Sequence, residues 1–531
     1  MIMRRSATRR VLLLCFTLYT AYAGVQGPAA GVETEEAPRF DILEYRVEGN
    51  TVLTTLEVER AVYGYLGPER TIKDVEAARS ALEQSYHKAS YLTVFVDIPE
   101  QTVAQGIIRL RVTEGRVERS RVTGSRYYSL GEIRRRTPSL AEGSVPHFST
   151  VQQELAQLNK SPDRRVTPVL KPGRTPGRVE VDLKVDDKLP LHGGVELNDR
   201  YSGETSRLRL GASLRYDNLW QREHSIAVQA QTSPQDTDEV RVLSGTYLFP
   251  AWGDTLIAAY AVRSRSNAAA VGALNVIGSG TIYGIRSIIP LRSFDGWYHS
   301  VTLGLDYKDF SETVSLIGAD SFDTPISYAP LIAQYNATAI APGSLTQLDA
   351  SATAGVRGLL GNNDAEFENK RFKASASYLA LKAGAGWTRN VAGPFDVHAR
   401  FEAQGASGPL VSNEQFGIGG AESVRGYREL EALGDDGARM TVEVRRAFGE
   451  RKPGGIAETY VAGFVDAGWA RIEDPLPGQR SRFTLASAGI GLRLKDTRGL
   501  ALALDLAQAL RAGPSTRDGD SRIHFRLSYE F

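Results

Sequence analysis

Residues 522–531 read Arg-Ile-His-Phe-Arg-Leu-Ser-Tyr-Glu-Phe, and apolar and polar side chains alternate through all ten positions. Successive side chains of an extended strand point to opposite faces, so one face carries Ile523, Phe525, Leu527, Tyr529 and Phe531. The opposite face carries Arg522, His524, Arg526, Ser528 and Glu530. The pattern therefore predicts a strand that lies between an apolar medium and water.

The same alternation occurs throughout the chain after Pro190. Sixteen strands are predicted, at residues 191–198, 206–216, 222–232, 238–248, 254–263, 279–289, 297–309, 326–339, 346–357, 373–387, 395–405, 438–448, 458–469, 482–494, 500–510 and 522–531. Most of them reach the roughly 9 to 11 residues that a tilted strand needs to cross the hydrocarbon of a bilayer. The number is even, as it is in bacterial transmembrane barrels.

The charges on the polar faces separate a membrane barrel from a β-sandwich, whose strands also alternate. These faces carry Arg207, Arg209, Arg215, Glu443, Arg445 and Asp505. A sandwich core cannot bury such charges unpaired, whereas a water-filled lumen can hold them. Each unpaired backbone group in lipid costs several kcal/mol, so we expect the last strand to close on the first. The predicted fold of residues 190–531 is a sixteen-stranded transmembrane β-barrel.

Residues 40–187 show a different pattern, in which the order strand, helix, helix, strand, strand occurs twice. In the first copy these elements are predicted near 45–47, 55–66, 73–88, 92–98 and 106–112, with a turn at Gly49-Asn50. In the second copy they are predicted near 117–122, 130–136, 150–158, 165–170 and 178–185, with a turn at Gly124. Each copy has the size of a small domain. We therefore expect two α+β domains, at residues 40–115 and 116–189.

The first 23 residues have the features of a secretory signal. Four arginines precede an apolar stretch that runs from Val11 to Ala23 and ends in Ala21-Tyr22-Ala23, a typical cleavage site. The stretch is shorter than the roughly 20 apolar residues that span a bilayer as a helix. We expect a signal peptide at residues 1–23 and a linker at residues 24–39.

The single cysteine, Cys15, lies inside the predicted signal peptide. It follows three leucines, with no small residue before it, so a lipoprotein signal is poorly supported. The mature chain therefore has no cysteine, which excludes a disulfide scaffold and a thiolate metal site.

The charge balance points away from nucleic acid. Removing the signal takes four arginines from 63 basic residues and leaves all 62 acidic residues, for a net charge of −3. No basic footprint for nucleic acid remains. Beyond the signal no run of 18 apolar residues occurs, and the mean hydropathy is −0.25, which excludes a helical membrane protein.

Catalytic motifs are not evident. The seven histidines are scattered, without H-E-x-x-H or other ligand spacing. Gly278-Ser279-Gly280 followed by Gly284 loosely resembles a dinucleotide loop, but barrel glycines explain it better, since no helix is predicted after it. Spacing leaves open a hydrolase with Ser, His and an acid on neighbouring strands, although no pattern indicates one. We expect no enzyme, no metal and no cofactor.

A loop at residues 406–437, between the eleventh and twelfth strands, is unusually long. It reads Gly-Ile-Gly-Gly-Ala-Glu-Ser-Val-Arg-Gly-Tyr-Arg at residues 417–428. Arg425 could hold it to a carboxylate inside the barrel, although an ordinary surface loop with a solvated arginine fits the spacing equally well. The best acid is Asp466 on the thirteenth strand, which faces the lumen if Val465 and Ala467 face lipid. Such a pair would add little net stability and would act in register and switching.

These residues match motifs of a known superfamily. Val424-Arg425-Gly426-Tyr427 resembles the V-R-G-Y motif in the inward-folded loop of outer-membrane assembly and secretion proteins. Phe464-x-Asp466-x-Gly468 resembles their F-x-D-x-G strand motif, whose acid pairs with that arginine. With two repeats before a sixteen-stranded barrel, nearly the whole mature chain resembles the TpsB-type transporters of two-partner secretion, the haemolysin secretion/activation family with two POTRA domains.

The soluble half adds further similarities. Val47-x-Gly49-Asn50-Thr51 resembles the start of a first POTRA domain, and Val112-x-Glu114-Gly115-Arg116-Val117 the junction between the two. Leu158-Asn159, Pro162-Asp163-Arg164 and Pro172-Gly173-x-x-Pro176-Gly177 resemble the second domain. Two features depart from the family. The short segment 24–39 leaves little room for a pore-plugging helix, and Ser90 stands before Tyr91 where the family usually has glycine.

The resemblance implies a function. A transporter of this type lies in the cell outer membrane with its POTRA domains in the periplasm. It captures an unfolded TpsA-like exoprotein, of adhesin or cytolysin class, and exports it through the barrel without nucleotide hydrolysis. The other implied partners are outer-membrane lipid and the barrel-assembly machinery, which would recognise the C-terminal strand with Tyr529 and Phe531. No nucleic acid is implied.

Two alternatives remain open. An assembly factor for other barrel proteins would share the loop motif but usually has three or more POTRA domains. A passive diffusion pore would need neither the repeats nor the loop. The sequence leaves the exported protein unidentified.

Overall fold

The computed structural model describes residues 38–531, except 104, 203–204, 266–268, 272–273, 277, 312, 316–320 and 449–457. The predicted signal peptide and nearly all of the linker lie outside the described residues. Among the described residues, no helix has the length and apolarity needed to cross a bilayer. The chain divides into two compact units. Unit 1 contains the described residues up to Arg121 with Thr137–Glu154 and Val169–Asp182, and unit 2 contains Val122–Arg136, Leu155–Pro168 and Leu183–Phe531.

The first soluble repeat has the predicted order of elements. They are the strand Glu44–Glu48, the helices Thr55–Val62 and Ile72–Lys88, and the strands Val94–Asp97 and Ile107–Glu114, with a 3-10 turn at Tyr63–Tyr65. Ile107–Glu114 is the central strand of the sheet, parallel to Glu44–Glu48 and antiparallel to Val94–Asp97. A strand pair not predicted from the sequence joins Phe40–Ile42 to Gly67–Arg70. Buried side chains such as Leu82, Tyr86 and Leu110 form the core of this repeat.

The second repeat has the same order. Its elements are the strand Arg116–Thr123, the helices Leu130–Arg135 and Phe148–Leu158, and the strands Arg164–Pro172 and Arg178–Asp187, with a 3-10 turn at Pro138–Leu140. The strand Arg178–Asp187 is central in its sheet.

Two glycines mark equivalent positions in the repeats. Gly49 and Gly124 both have φ of +89°. A Cβ atom on Gly49 would lie 2.3 Å from the carbonyl oxygen of Val112, and one on Gly124 would lie 2.4 Å from that of Val185. Only glycine fits such a close approach at positive φ. The turn glycines identified in the sequence therefore occupy the same place in both copies.

The helices of the first repeat begin at capping residues. The hydroxyl of Thr54 accepts a hydrogen bond from the backbone N–H of Glu57, and the Glu57 carboxylate accepts one from the backbone N–H of Thr54. Thr71 and Asp74 form the corresponding capping box at the start of Ile72–Lys88. Reciprocal bonds of this kind satisfy two backbone donors that a helix start leaves unpaired.

In the described part of the chain the barrel is closed and antiparallel, with sixteen strands, as predicted. Barrel strands 1 to 16 are Leu191–Asn198, Arg209–Leu219, His224–Thr232, Arg241–Pro250, Leu256–Arg265, Ser279–Pro290, Trp297–Ser311, Ile326–Tyr328 continued by Pro330–Ala341, Ser344–Gly355, Tyr378–Ala392, Phe395–Ala406, Asp436–Ala447, Tyr460–Arg471, Arg482–Lys495, Leu500–Ala509 and Ser521–Glu530. Barrel strand 16 pairs with barrel strand 1 from Arg526↔Asn198 to Glu530↔Gly194, which closes the cylinder.

The alternation predicted for the last strand has a direct structural counterpart. Ile523 is 63% exposed and lies on the outer face, whereas His524 is 4% exposed and points inward. The same holds on barrel strand 13, where Val465 is exposed and Asp466 is fully buried. The apolar face is therefore the outer one.

Several details differ from the sequence-based expectations. Barrel strand 2 begins at Arg209, so Arg207 lies in the preceding loop. Barrel strand 10 spans Tyr378–Ala392 and not 373–387. Ala374 and Ala376, which were predicted to be part of it, lie instead in one buried cluster with Phe367 of the short helix Asp364–Lys370, and the backbone N–H of Ala376 donates to Asp364. Asn363 caps this helix by accepting from the backbone N–H of Glu366. The long loop contains two short strands that were not predicted, Phe416–Ile418 and Ala432–Gly434.

The glycines near residue 280 are strand residues. A Cβ atom on Gly284 would lie 2.3 Å from Cζ of Tyr260, and one on Gly280 would lie 2.2 Å from the carbonyl oxygen of Asp309. Both glycines belong to barrel strand 6, in agreement with the interpretation that they are barrel glycines.

Candidate functional site

The segment between barrel strands 11 and 12, residues 407–435, folds back into the barrel and is called the lumen loop below. Its strands Phe416–Ile418 and Ala432–Gly434 form an antiparallel hairpin. Gly419, Gly420 and Gly426 all have positive φ, between +89° and +113°. The glycine-rich composition of this segment therefore serves a sequence of tight turns that side chains would strain.

Arg425 lies at the tip of this loop and is 4% exposed. Its Nε donates to Oδ2 of Asp466 at 2.7 Å and its Nη2 donates to Oδ1 at 2.8 Å, which is the bidentate arrangement of a guanidinium and a carboxylate. The backbone N–H of Arg425 also donates to Oδ2 of Asp466, at 3.1 Å. Both the backbone and the side chain of the loop tip are thus held by one carboxylate of barrel strand 13.

Two further carboxylates face the same guanidinium. Nη1 of Arg425 lies 2.7 Å from Oε1 of Glu443 and 3.4 Å from Oδ1 of Asp505. Glu443 also accepts from Arg445, at 2.7 Å, and Asp505 accepts from Arg493, at 2.8 Å. Three arginines therefore balance three acids, and no formal net charge is left among these six buried or half-buried groups.

The register of the strands explains why these groups meet. Glu443 on barrel strand 12 lies opposite Phe464 on barrel strand 13, and both side chains point inward. Phe464, Asp466 and Gly468 are two residues apart and share the inner face. Glu443 and Asp505 were predicted from the sequence to be lumen charges, but not to be partners of Arg425. The alternation of polar and apolar residues along their strands was the available signal, and it places both side chains on the inner face. It does not pair them with Arg425, because the register between neighbouring strands is not visible in a single sequence.

The other residues of the loop motif contact barrel strands 13 to 16. The hydroxyl of Tyr427 lies 2.8 Å from the carbonyl oxygen of Ala486 and 2.7 Å from that of Arg511. The backbone N–H of Gly426 donates to Nε2 of His524, at 3.1 Å. Val424 is fully buried in an apolar cluster with Ile418 and Leu485. All four motif residues are therefore fixed to the barrel wall.

Gly468, which has no side chain, leaves space for Val424 and Ile418 of the lumen loop to contact barrel strand 13. A Cβ atom at this position would lie 2.8 Å from Cγ2 of Val424 and 3.3 Å from Cβ of Ile418. The last residue of the F-x-D-x-G pattern is therefore a contact point for the lumen loop.

The base of the loop has its own anchor, which sequence reasoning missed. Asp435 is fully buried and accepts hydrogen bonds from the backbone N–H of Leu410, at 2.9 Å, and from that of Glu473, at 2.7 Å. Nη2 of Arg371 donates to the same carboxylate at 2.6 Å. The two ends of the loop are thus drawn together by one side chain.

A wet cavity of about 510 Å³ lies beside the loop. It is lined by polar groups of barrel strands 1 to 3 and 16, among them Glu196, Ser213, Gln229, Arg526 and Ser528. On the loop side, Nη1 of Arg200 is bonded to Oε1 of Glu422 at 3.1 Å. The lumen is therefore divided between a side filled by the loop and a side open to water.

The C-terminal residues lie at the seam of the barrel. Phe531 is exposed, and its backbone N–H donates to the carbonyl oxygen of Gly193 at 3.0 Å. The ring of Tyr529 is centred 6.3 Å from that of Phe531. The two aromatic side chains form a continuous patch where the last strand meets the first.

Two family descriptions match parts of the chain. Residues 40–115 match the POTRA domain, ShlB-type, and residues 327–494 match the haemolysin secretion/activation protein ShlB/FhaC/HecB. The second match includes both the tip of the lumen loop and Asp466. Together with the closed barrel, these matches define an outer-membrane β-barrel protein with POTRA domains in the periplasm.

Within that class, the resemblance to the TpsB-type two-partner secretion transporters is confirmed. The outer membrane transporter CdiB of Dickeya dadantii (strain 3937) is 26% identical over 196 residues, which are 37% of this chain and 34% of that protein. The chain therefore spans about a third of the length of this curated relative.

Solved structures share the fold. CdiB from Escherichia coli superposes with a TM-score of 0.61 at 20% identity, covering 96% of this chain and 93% of that one. BamA from Haemophilus ducreyi lacking POTRA domains 1–3 superposes with a TM-score of 0.54 at 14% identity, covering 93% of this chain and all of that one. The fold alone thus does not separate a transporter from BamA.

Proposed function

We propose that this chain exports an unfolded exoprotein from the periplasm through its barrel by two-partner secretion. One observation carries the proposal: Arg425 of the lumen loop is buried against Asp466 inside a closed barrel, in a segment that matches the haemolysin secretion/activation family. A passive pore has no need of a loop anchored in this way. The role of Val424, Arg425, Gly426, Tyr427, Phe464, Asp466 and Gly468 in export is part of the proposal.

The soluble repeats supply a capture surface for an extended chain. Glu44–Glu48 and Val94–Asp97 are the edge strands of the first sheet, and Phe95 on the second of them is 61% exposed. An edge strand can bind an extended polypeptide through backbone hydrogen bonds, which do not depend on the sequence of the bound chain. An adhesin or cytolysin that arrives unfolded would bind at such an edge. We place the two POTRA domains at residues 40–115 and 116–189.

The cavity beside the lumen loop supplies the path. Its wall on barrel strands 2 and 3 presents the hydrogen-bonding side chains Ser213, Gln229 and Gln231, and charged groups such as Glu196 and Arg526 complete the lining. Polar groups of this kind can solvate the backbone of a passing chain. No nucleotide is required, because folding of the exported chain outside the cell can draw it through. The outer apolar face contacts lipid, and we expect the assembly machinery to recognise the strand that carries Tyr529 and Phe531.

Replacing Arg425 by alanine tests the proposal. Cells would express the chain together with the open reading frame next to its gene, and the product of that frame would be measured in the medium. We expect Arg425→Ala to abolish export while the barrel keeps its heat-dependent gel shift. Arg517→Ala, which removes an exposed arginine of an outer loop, is the matched control and should export normally. Normal export by Arg425→Ala would reject the proposal.

The similarity to BamA favours one second candidate, an assembly factor for other barrel proteins. Crosslinking to several barrel precursors, with no single secreted product, would support that function instead. Residues 327–494 match a haemolysin secretion/activation family, and the relative from Dickeya dadantii is an outer membrane transporter, which favours export.

A further inference from the structure

Three side chains of types that bind metal ions converge where barrel strand 1 begins and barrel strand 2 ends. They are Asp163, which precedes the strand Arg164–Pro172, His192 on barrel strand 1 and Asp217 on barrel strand 2. All three belong to unit 2. Nε2 of His192 lies 2.9 Å from Oδ2 of Asp163 and 3.5 Å from Oδ2 of Asp217. One possible ligand atom from each residue therefore lies within 4.8 Å of the other two.

These distances fit the coordination shell of a small divalent cation. Zinc binds nitrogen and oxygen at about 2.0–2.2 Å, so neighbouring ligand atoms of a tetrahedral shell lie roughly 3.4 Å apart. The two measured separations, 2.9 and 3.5 Å, lie on either side of that value. One imidazole with two carboxylates is a donor set that accepts Zn²⁺. Three protein ligands would leave the fourth position for water.

The surroundings orient the ligands. The hydroxyl of Ser225 donates to Oδ1 of Asp217 at 2.5 Å, which leaves Oδ2 directed at His192. The backbone N–H of Lys188 donates to the carbonyl oxygen of Asp163 at 2.8 Å, which fixes the segment that carries this aspartate. Asp163 itself is almost completely buried.

One cation already contacts the cluster. Nε of Arg215 donates to Oδ2 of Asp217 at 2.9 Å, but its side chain is 51% exposed and can rotate into solvent when a metal ion takes its place. The two carboxylates and the one guanidinium leave a net charge of −1 beside the imidazole, which attracts a cation.

We propose that Asp163, His192 and Asp217 form a binding site for a divalent transition metal, with Zn²⁺ the best fit. The ion would tie the segment before the strand Arg164–Pro172 to the first two strands of the barrel. Ligand spacing along the chain gave no sign of the site, because its members come from three separate elements. The proposal does not depend on export.

Zinc titration of the full-length protein tests the site. The protein would be kept in detergent micelles and freed of bound metal with a chelator. It would then be titrated with Zn²⁺ alone at neutral pH by calorimetry. We expect one ion per chain with a Kd in the micromolar range or tighter. His192→Ala and Asp163→Asn should each weaken binding by about tenfold or more, as loss of a ligand or its support does. His224→Ala, which changes the first residue of barrel strand 3, should bind as the unaltered chain does.

Cobalt gives an independent reading of the same site. Co²⁺ should produce a visible absorption band of tetrahedral intensity in the unaltered chain and in His224→Ala, and none in His192→Ala. The heat-dependent gel shift shows that each variant is folded. Equal zinc affinity in the unaltered chain and in His192→Ala would overturn the proposal, and so would the absence of any stoichiometric binding. The triad would then be a histidine hydrogen-bonded to Asp163, with Asp217 as a neighbouring carboxylate.

Discussion

The guanidinium carbon of Arg425 lies 3.3 Å from the centre of the Phe464 ring, while the edge of the same group donates twice to Asp466. A planar guanidinium can stack on a ring and donate hydrogen bonds to a carboxylate at the same time, because stacking uses its face and hydrogen bonding uses its edge. An ammonium group is a point charge and does not satisfy both. The site therefore selects arginine by shape as well as by charge.

Arg425→Lys should accordingly fail to replace arginine. We expect export to fall by about tenfold or more, since the lysine keeps the charge but loses the bidentate bond and the stacking. The loop should also become accessible, so that limited trypsin digestion cleaves it in intact outer membranes. Export close to that of the unaltered chain in Arg425→Lys would show that charge alone holds the loop.

Gly468 allows a test with a control on the same strand. Gly468→Ala places a methyl group 2.8 Å from Val424, whereas a methyl group on Gly463 meets nothing within 4 Å. Overpacking of this kind costs about 1–3 kcal/mol. We expect Gly468→Ala to displace the lumen loop, raise its cleavage by trypsin and reduce export, and Gly463→Ala to change neither. Equal behaviour of the two variants would contradict the proposed contact between loop and strand.

The barrel strands could be predicted because the alternation that identifies them is a property of each short stretch of sequence. A strand between lipid and water must alternate, so Ile523 and His524 reveal their faces from the sequence alone. Asp466 was the best local candidate to pair with Arg425, and motifs that resemble a known superfamily supported the same pair. By contrast, Glu443 and Asp505 meet Arg425 through strand register, which depends on hydrogen bonds between distant segments.

The short helix and the anchor at Asp435 were not predicted, and the reason is a different one. The helix Asp364–Lys370 has seven residues, too few to establish a helical period, and it depends on the cap at Asn363 and on burial of Phe367. Asp435 was not identified from the sequence, because its hydrogen-bond donors come from three distant residues, Leu410, Arg371 and Glu473. Both features are fixed by tertiary contacts that no sequence window contains.

Glu223 gives a prediction on pH. It lies between barrel strands 2 and 3 and accepts from Nη1 of Arg136, at 2.6 Å, and Nη2 of Arg164, at 2.7 Å. Burial raises the pKa of Glu223, but the two guanidinium groups outweigh this effect and hold the pKa below its ordinary value of 4.5. A lowered carboxyl pKa stabilises the fold fully above 4.5, and this stabilisation is lost as the pH falls through the folded-state value.

Acid should therefore destabilise the unaltered chain more than it destabilises the Glu223→Gln variant. We expect the Tm of the unaltered chain, followed by tryptophan fluorescence in detergent, to fall more steeply than that of the variant as the pH drops below about 4.5. Near neutral pH the variant should have the lower Tm, because Arg164 loses its carboxylate partner and Arg136 keeps only Glu132. Parallel pH profiles of the two proteins would show that Glu223 does not contribute in this way.

The seam of the barrel allows a double-mutant test. A Cβ atom on Gly193 would lie 2.4 Å from Cζ of Phe531, so the terminal ring packs over a glycine of barrel strand 1. Gly193→Val should displace the Phe531 ring, and Phe531→Ala should remove it. Both substitutions should therefore lower the fraction of the protein that refolds in detergent to the form with the heat-dependent gel shift. Because both changes destroy one contact, their effects should not add in the double variant. Gly245→Val, where a Cβ atom meets nothing within 4 Å, should have little effect and should add to Phe531→Ala. Full additivity of Gly193→Val and Phe531→Ala would mean that the ring does not use this glycine in closing the barrel.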